Sequence, residues 1–193
     1  MPASLEVPGL TAAVEAPAGG TATASFTASG PGTYLYQGAE RQLAMGLYGA
    51  LVVRPPTPGY DRDEVLVLSA IDPAFNAAPE SASLYSYAPK HWLINGKAHP
   101  DTDPVHGVAP GTRLLLRYVN AGFDNTTMRL LGVRERVLAR DAQPLADPLD
   151  ATAETIPAGG TEDALVVIPP AGTRFPLYNR QLHLGMLTFI QVP

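Results

Sequence analysis

The chain has no cysteine among its 193 residues, which removes disulfides, thiolate metal ligands and cysteine nucleophiles at once. It has little lysine, only Lys90 and Lys97, and no basic run, and its net charge is −5. An electrostatic footprint for nucleic acid or an anionic membrane is therefore missing, and neither is expected as a partner. No stretch approaches the roughly 18 consecutive apolar residues of a membrane span. Met1-Pro-Ala-Ser-Leu-Glu6 lacks the charged-then-apolar plan of a signal peptide, so no export signal is expected in this chain. No Gly-x-Ser-x-Gly elbow and no phosphate-binding glycine loop occurs, leaving hydrolase and nucleotide chemistry without support.

What is present points to a packed β protein. Apolar residues make up 46% of the chain and charged ones 16%, enough for a core and too apolar for disorder. Twenty prolines and 18 glycines are scattered along the whole length, which leaves long helices few places to form. Arginine in place of lysine, with abundant Ala, Gly and Pro, is the composition that a GC-rich bacterial genome produces. Apolar runs bounded by Pro, Gly, Asn or Asp predict strands at Thr21–Ala28, Thr33–Tyr36, Tyr48–Arg54, Glu64–Ser69, His91–Ile94 and Arg113–Val119. The same reading predicts strands at Thr127–Leu131, Arg136–Arg140, Ala164–Ile168, Phe175–Tyr178 and Met186–Val192. Asn95-Gly96 is a hairpin turn, and a helical turn is expected at Ser81–Tyr85.

An internal repeat organises these elements. Pro17-Ala-Gly-Gly-Thr21 returns as Pro157-Ala-Gly-Gly-Thr161, and Gly32-Thr33 returns as Gly172-Thr173 at the same offset. Each copy continues into an aromatic-ended strand and a closing apolar strand that ends in proline, Pro55 or Pro193. The second copy is preceded by a long stretch of strands and the first by only sixteen residues, so the first unit lacks its front half. The division expected is 1–56 for the second half of a first unit and 57–193 for a complete second unit. The first unit's inner face, with Phe26, Tyr34, Leu51 and Val53, cannot be covered by sixteen upstream residues, so it is expected to pack against the complete unit, a symmetry mate or a missing polypeptide. A homo-oligomer or a missing N-terminal polypeptide is the expected partner.

Several segments together resemble the multicopper oxidases, whose domains are cupredoxin-like β-sandwiches. They are Pro31-Gly-Thr-Tyr-Leu-Tyr36, Ala44-Met-Gly-Leu-Tyr-Gly-Ala-Leu-Val-Val-Arg-Pro55, Val65-Leu-Val-Leu68, Leu93-Ile-Asn-Gly-Lys97, Ala109–Gly122 and Gly185-Met-Leu-Thr-Phe189. The resemblance implies an all-β fold: a cupredoxin-like Greek-key β-sandwich, one complete domain plus the C-terminal half of another. It implies export to the periplasm or the outside, and copper as the cofactor.

The residues at the ligand positions of that pattern are not ligands. Where copper-bearing relatives resemble His-Pro-x-His-x-His-Gly, this chain has Thr126, Arg129 and Leu131 in the ligand places. The Gly-Thr-Tyr-x-Tyr strand, which in the family runs into His-x-His, here runs into Gln37-Gly-Ala39. The His-Cys-His position of the second unit reads Asn179-Arg180-Gln181. A blue-copper site needs a thiolate with two imidazoles, and a trinuclear cluster needs about eight histidines, against four here. No cofactor is therefore expected in this chain. Leu131 is expected to be buried as ordinary core.

Weaker candidates remain. His183 and Met186 lie where the resemblance places a last imidazole and an axial Met, and read as a vestige. His99 and His106 flank Asp101 and Asp103 in a proline-containing exposed loop, a weak candidate for adventitious metal binding. Asp61-Arg-Asp-Glu64 is expected to be a solvated linker. Three functional readings follow: a structural or interaction module without a copper site, whether free-standing or part of a larger oxidase; a laccase-like copper oxidoreductase whose ligands lie outside this chain; and a small-ligand-binding sandwich that uses the vacated copper cavity.

Overall fold

A computed structural model describes residues 2–28, 30–183 and 185–193. Its first part is a single four-stranded sheet, in the order β2-β1-β3-β4. The strands are β1 (Ala3–Val7), β2 (Thr11–Ala16), β3 (Gly32–Gln37) and β4 (Tyr48–Val53), with a short helix α1 (Glu40–Ala44) between the last two. The β1–β2 hairpin was not expected. Its turn, Pro8-Gly9-Leu10, puts Gly9 at φ +82° and returns the Leu10 N–H to the Val7 carbonyl at 2.9 Å.

Residues 21–28, by contrast, form no strand despite their Thr/Ala alternation. Period-2 patterning describes a surface that suits a sheet, but the strand exists only where a neighbour supplies the ladder, and among the described residues nothing pairs with this segment.

The second part is a sandwich. One sheet has six strands in the order β10-β9-β12-β7-β5-β6 and the other has four in the order β11-β8-β13-β14. In chain order these are β5 (Arg62–Ile71), β6 (His91–Ile94), β7 (Arg113–Asn120), β8 (Thr126–Leu130), β9 (Glu135–Arg140), β10 (Gln143–Ala151), β11 (Glu154–Ile156), β12 (Thr161–Val167), β13 (Arg174–Asn179) and β14 (Leu187–Gln191). β10 was not expected because it carries Pro144 and Pro148; it lies at a sheet edge, where a missing N–H is tolerated. The expected hairpin turn is present, with Asn95 at φ +50° and Gly96 at +78° between the bridged pair Ile94 and Lys97. The expected helical turn is displaced: helix α2 spans Pro73–Ala77, with the Asp72 carboxylate capping the Ala74 and Phe75 N–H groups, and a 3-10 turn follows at Leu84–Ser86.

The two inner faces of the sandwich meet in one large core that includes Leu66, Leu68, Leu114, Leu116, Tyr118, Met128, Leu130 and Leu177. From the alternation of Leu114–Val119, β7 would be packed on one side only. It is buried on both. The reason is the first sheet, whose Leu35 packs on Val119 and Ala121, with Tyr48, Ala50 and Val67 around them.

That contact is fastened by charge. Arg117, 1% exposed, donates to Asp63 at 2.8 Å, to Asp163 and the Thr33 hydroxyl at 2.9 Å, and to the Tyr60 hydroxyl at 2.8 Å. Asp63 also pairs with Arg54, and Asp61 with Arg113 at 2.9 Å. Residues 61–64 are therefore not a solvated linker: they start β5 and hold three arginines in place. Burial pushes the Asp63 carboxyl up, but Arg54 and Arg117 outweigh it and hold it below the usual range.

The opposite face of the first sheet packs in part against the sandwich, one of the covers expected for it, and in part against β1. Tyr34 is buried against Val7 of β1 and Ala142 of the sandwich, with Leu51 and Val53 half-buried beside them, while Phe26 stays exposed. Gly32 is what lets Ala142 in, since a Cβ there would lie 2.4 Å from the alanine's own. No helix among the described residues is long and apolar enough to cross a membrane.

Candidate functional site

The positions at which the resemblance implies ligands collect at two places. The larger is the end of the sandwich where β7 turns into β8 and the loop after β13 runs towards β14. Asn120 closes β7: its buried amide donates to the carbonyls of Asp124 and Ile156, both at 2.9 Å, and accepts from the Gly122 N–H at 3.1 Å. This fixed turn delivers the chain to Thr126. From there Thr126, Met128 and Leu130 face the core, and Arg129 and Leu131 the other side.

The expectation that Leu131 is buried is wrong; it is 44% exposed. It lies one residue beyond β8 and on the outward phase, so its neighbour Leu130 fills the core in its place. Arg129 is half-buried, and its Nε is enclosed without a hydrogen-bond partner among the described residues.

The second loop contributes amides. The Gln181 side-chain oxygen accepts from the Thr127 N–H at 2.9 Å and from the Asn179 amide at 2.8 Å, and its nitrogen donates to the Asn125 carbonyl at 2.8 Å. The Arg180 backbone N–H donates to the Thr127 carbonyl at 2.8 Å while its side chain is exposed. Asn179 is buried and its oxygen accepts from the His183 N–H at 3.4 Å. One glutamine thus ties the loop before β8 to the loop after β13. His183 stacks on Trp92, ring centroids 4.2 Å apart and planes within 13°. Met186 is buried in the main core. The cleft that these residues share with Ser69, Asn120 and Phe123 has a volume of about 20 Å³, room for about one water molecule.

The second place is on the first sheet. Gln37 ends β3 and donates to the Glu6 carboxylate of β1 at 2.9 Å. Ala39 is the residue before α1, and its N–H is met by the Ser4 hydroxyl and the Gln42 side chain. Both positions now hold the unexpected hairpin to the sheet. His99 and His106 are exposed and separate from both places, and Lys97 takes Asp103 at 2.7 Å. Among the described residues no three His, Cys, Asp or Glu side chains are grouped as metal ligands.

Two buried polar clusters escaped the sequence reading. One is the Arg117 group. The other joins Glu135, Glu154 and Glu162 to Arg140 and Tyr118: Arg140 donates to Glu162 at 3.0 Å and to Glu154 at 2.8 Å, and the Tyr118 hydroxyl donates to Glu135 at 3.0 Å. Burial pushes the Glu162 carboxyl up to about 7, with Glu154 and Glu135 adding to the rise against Arg140, and one of its oxygens has no partner among the described residues. Burial likewise raises Glu135. The signal available was a charged residue inside an apolar strand, as in Leu114-Leu-Leu-Arg-Tyr-Val119 and Glu162-Asp-Ala-Leu-Val-Val167.

No sequence-family model matches the chain, and no curated protein matches it by sequence. Solved structures do match in shape. A blue copper oxidase from Nitrosomonas europaea superposes with a TM-score of 0.83 at 19% identity, over 100% of this chain and 70% of that one. The fold is that of the multicopper oxidases. The multicopper oxidase mgLAC matches with a TM-score of 0.82 at 19% identity, again over 100% and 70%. A copper nitrite reductase from Nitrosomonas europaea matches with 0.75 at 19%, over 100% of this chain and 75% of the other. The resemblance drawn from the motifs therefore holds at the level of the cupredoxin-type fold.

A copper ion fits this donor set poorly. The sandwich end offers one imidazole, stacked on an indole, a thioether inside the core and two amides already engaged with each other, with no thiolate in the chain.

Proposed function

We propose that this chain is a multicopper-oxidase-like structural and interaction module without copper chemistry of its own, built as the second half of one cupredoxin unit (1–56) and a complete second unit (57–193). The observation that carries this reading is Gln181. Its three hydrogen bonds close the loops at the former ligand positions, and they would have to break before a metal could be held there. A small organic ligand gains no support at the same place, because the cleft is of water size.

The test is copper titration of the purified full chain, followed by absorbance for the thiolate-to-copper band and oxygen uptake with a phenolic reductant. The expected result is neither the intense band nor uptake above that of free copper. Stoichiometric copper with turnover would favour the laccase-like reading instead.

A further inference from the structure

We propose that residues 21–28 are a strand in waiting, which forms by antiparallel pairing with the same segment of a second copy of this chain. The inference rests on reading the chain as an interaction module, and names the surface through which it assembles.

The internal repeat supplies the main argument. The two Pro-Ala-Gly-Gly turns have the same geometry: Gly19 and Gly159 sit at φ +71° and +72°, and the Gly20 and Gly160 N–H groups return to Pro17 and Pro157 at 2.9 and 3.0 Å. After the second turn comes β12, paired with β7 on one flank and β9 on the other. After the first come residues 21–28, all exposed. Among the described residues none of them exchanges a backbone hydrogen bond with another part of the chain. The same turn thus launches a doubly paired strand in one unit and an unpaired segment in the other.

Side chains point the same way. Ala22, Ala24 and Phe26 line one side of a groove of about 300 Å³ whose other side is Leu5, Val7 and Val14 of the β1–β2 hairpin. Phe26 and Leu5 remain 42% and 44% exposed across it. Thr21, Thr23, Ser25 and Thr27 form the alternate face. The segment has none of the charges or prolines by which sheet edges are kept apart.

A second copy suits this strand because the segment is self-complementary. With Ala24 opposite Ala24 on a two-fold axis, Ala22 faces Phe26, Thr23 faces Ser25 and Thr21 faces Thr27, so every rung joins like with like. A closed two-fold pair is also the commonest way for one surface to satisfy itself.

The experiment is sedimentation of the full chain over a range of concentrations, with hydrogen exchange read at residues 21–28, on the native protein, Ala24→Lys and Ala24→Pro. The native chain should dimerise, with exchange in this segment slowing as the dimer forms. Either variant should weaken dimerisation by about tenfold or more while leaving thermal unfolding of the rest unchanged, since residue 24 makes no ladder bond within the monomer. A native chain that stays monomeric at high concentration overturns the proposal. So does a dimer that survives both substitutions with 21–28 freely exchanging, or protection that appears only when a foreign polypeptide is added. None of these readings depends on copper, so failure here and failure of the copper titration are separate results.

Discussion

The first sheet and the sandwich each carry a copy of the same short repeat and stand on different footings. The sandwich buries a continuous core between its own two sheets. The first sheet has no such interior: one face leans on β7 through Leu35, and the other gathers a small cluster around Val7 and Tyr34. A single sheet borrows its hydrophobic stabilisation from a neighbour, whereas a closed pair of sheets generates its own. The lesson is one of dependence: the first sheet should fail whenever its seat on the sandwich fails, and the sandwich should outlive the loss of the sheet.

Removing Arg117 should break that dependence most sharply. Arg117→Ala leaves Asp63 and Asp163 enclosed without their shared cation, and an expected cost of about 3–5 kcal/mol should appear in urea unfolding. Hydrogen exchange should rise first in β3 and β4, with β8 and β13 still protected. Loss of protection everywhere at once would show the two regions to be a single cooperative unit.

Matched core truncations sharpen the contrast. Leu130→Ala in the sandwich should cost about 2–5 kcal/mol, and Leu51→Ala in the half-buried cluster of the first sheet only about 1 kcal/mol. Equal costs by denaturant titration would mean that the first sheet has a core of its own.

The sandwich also carries a weakness that the first sheet lacks. The Glu162 carboxyl sits at about 7 when folded, against an ordinary value of 4.5, so the folded state holds its proton longer than the unfolded chain does. The favourable contribution is complete below about pH 4.5 and is lost as pH rises towards 7, by on the order of 2–3 kcal/mol. Glu135 and Asp163, also raised by burial, act in the same direction. The lowered Asp63 and Asp72 act oppositely, in the acid range below the usual carboxylate value. Glu162→Gln should flatten the decline between pH 5 and 7 in unfolding free energies measured across that window. An unchanged slope would remove Glu162 from the account.

The smallest effect is expected in the loop after β13. Gln181→Ala should cost about 1 kcal/mol through the loss of hydrogen bonds near the surface, with no change in the first sheet's exchange.

Most of the strands were legible in the sequence because β3 to β9 and β12 to β14 are apolar runs set off by turn residues, and these place the sandwich and the resemblance together. The errors have physical causes. β1 and β2 are short and Ala-rich, and gain their place from the Pro8-Gly9 turn and from Gln37 and Ser4. Residues 21–28 have the pattern without the partner. Leu131 was assigned to the wrong face because alternation fixes only relative phase, and Thr126 and Leu130 set the absolute one. That Thr126, Arg129 and Leu131 stand where the resemblance implies ligands could be read directly. That Gln181 had taken over the joining of the loops could not, since its partners are 54 and 56 residues away along the chain.

The fastening of the first sheet also bears on time. Thr33 meets Asp163 across 130 residues, Thr161 across 128 and Arg117 across 84. At the usual pace of synthesis, the opening sheet leaves the ribosome on the order of ten seconds before its last anchor is made. Through that interval the first sheet waits without its seat, and the uncharged run from Thr21 to Ala28 stays open to unwanted pairing.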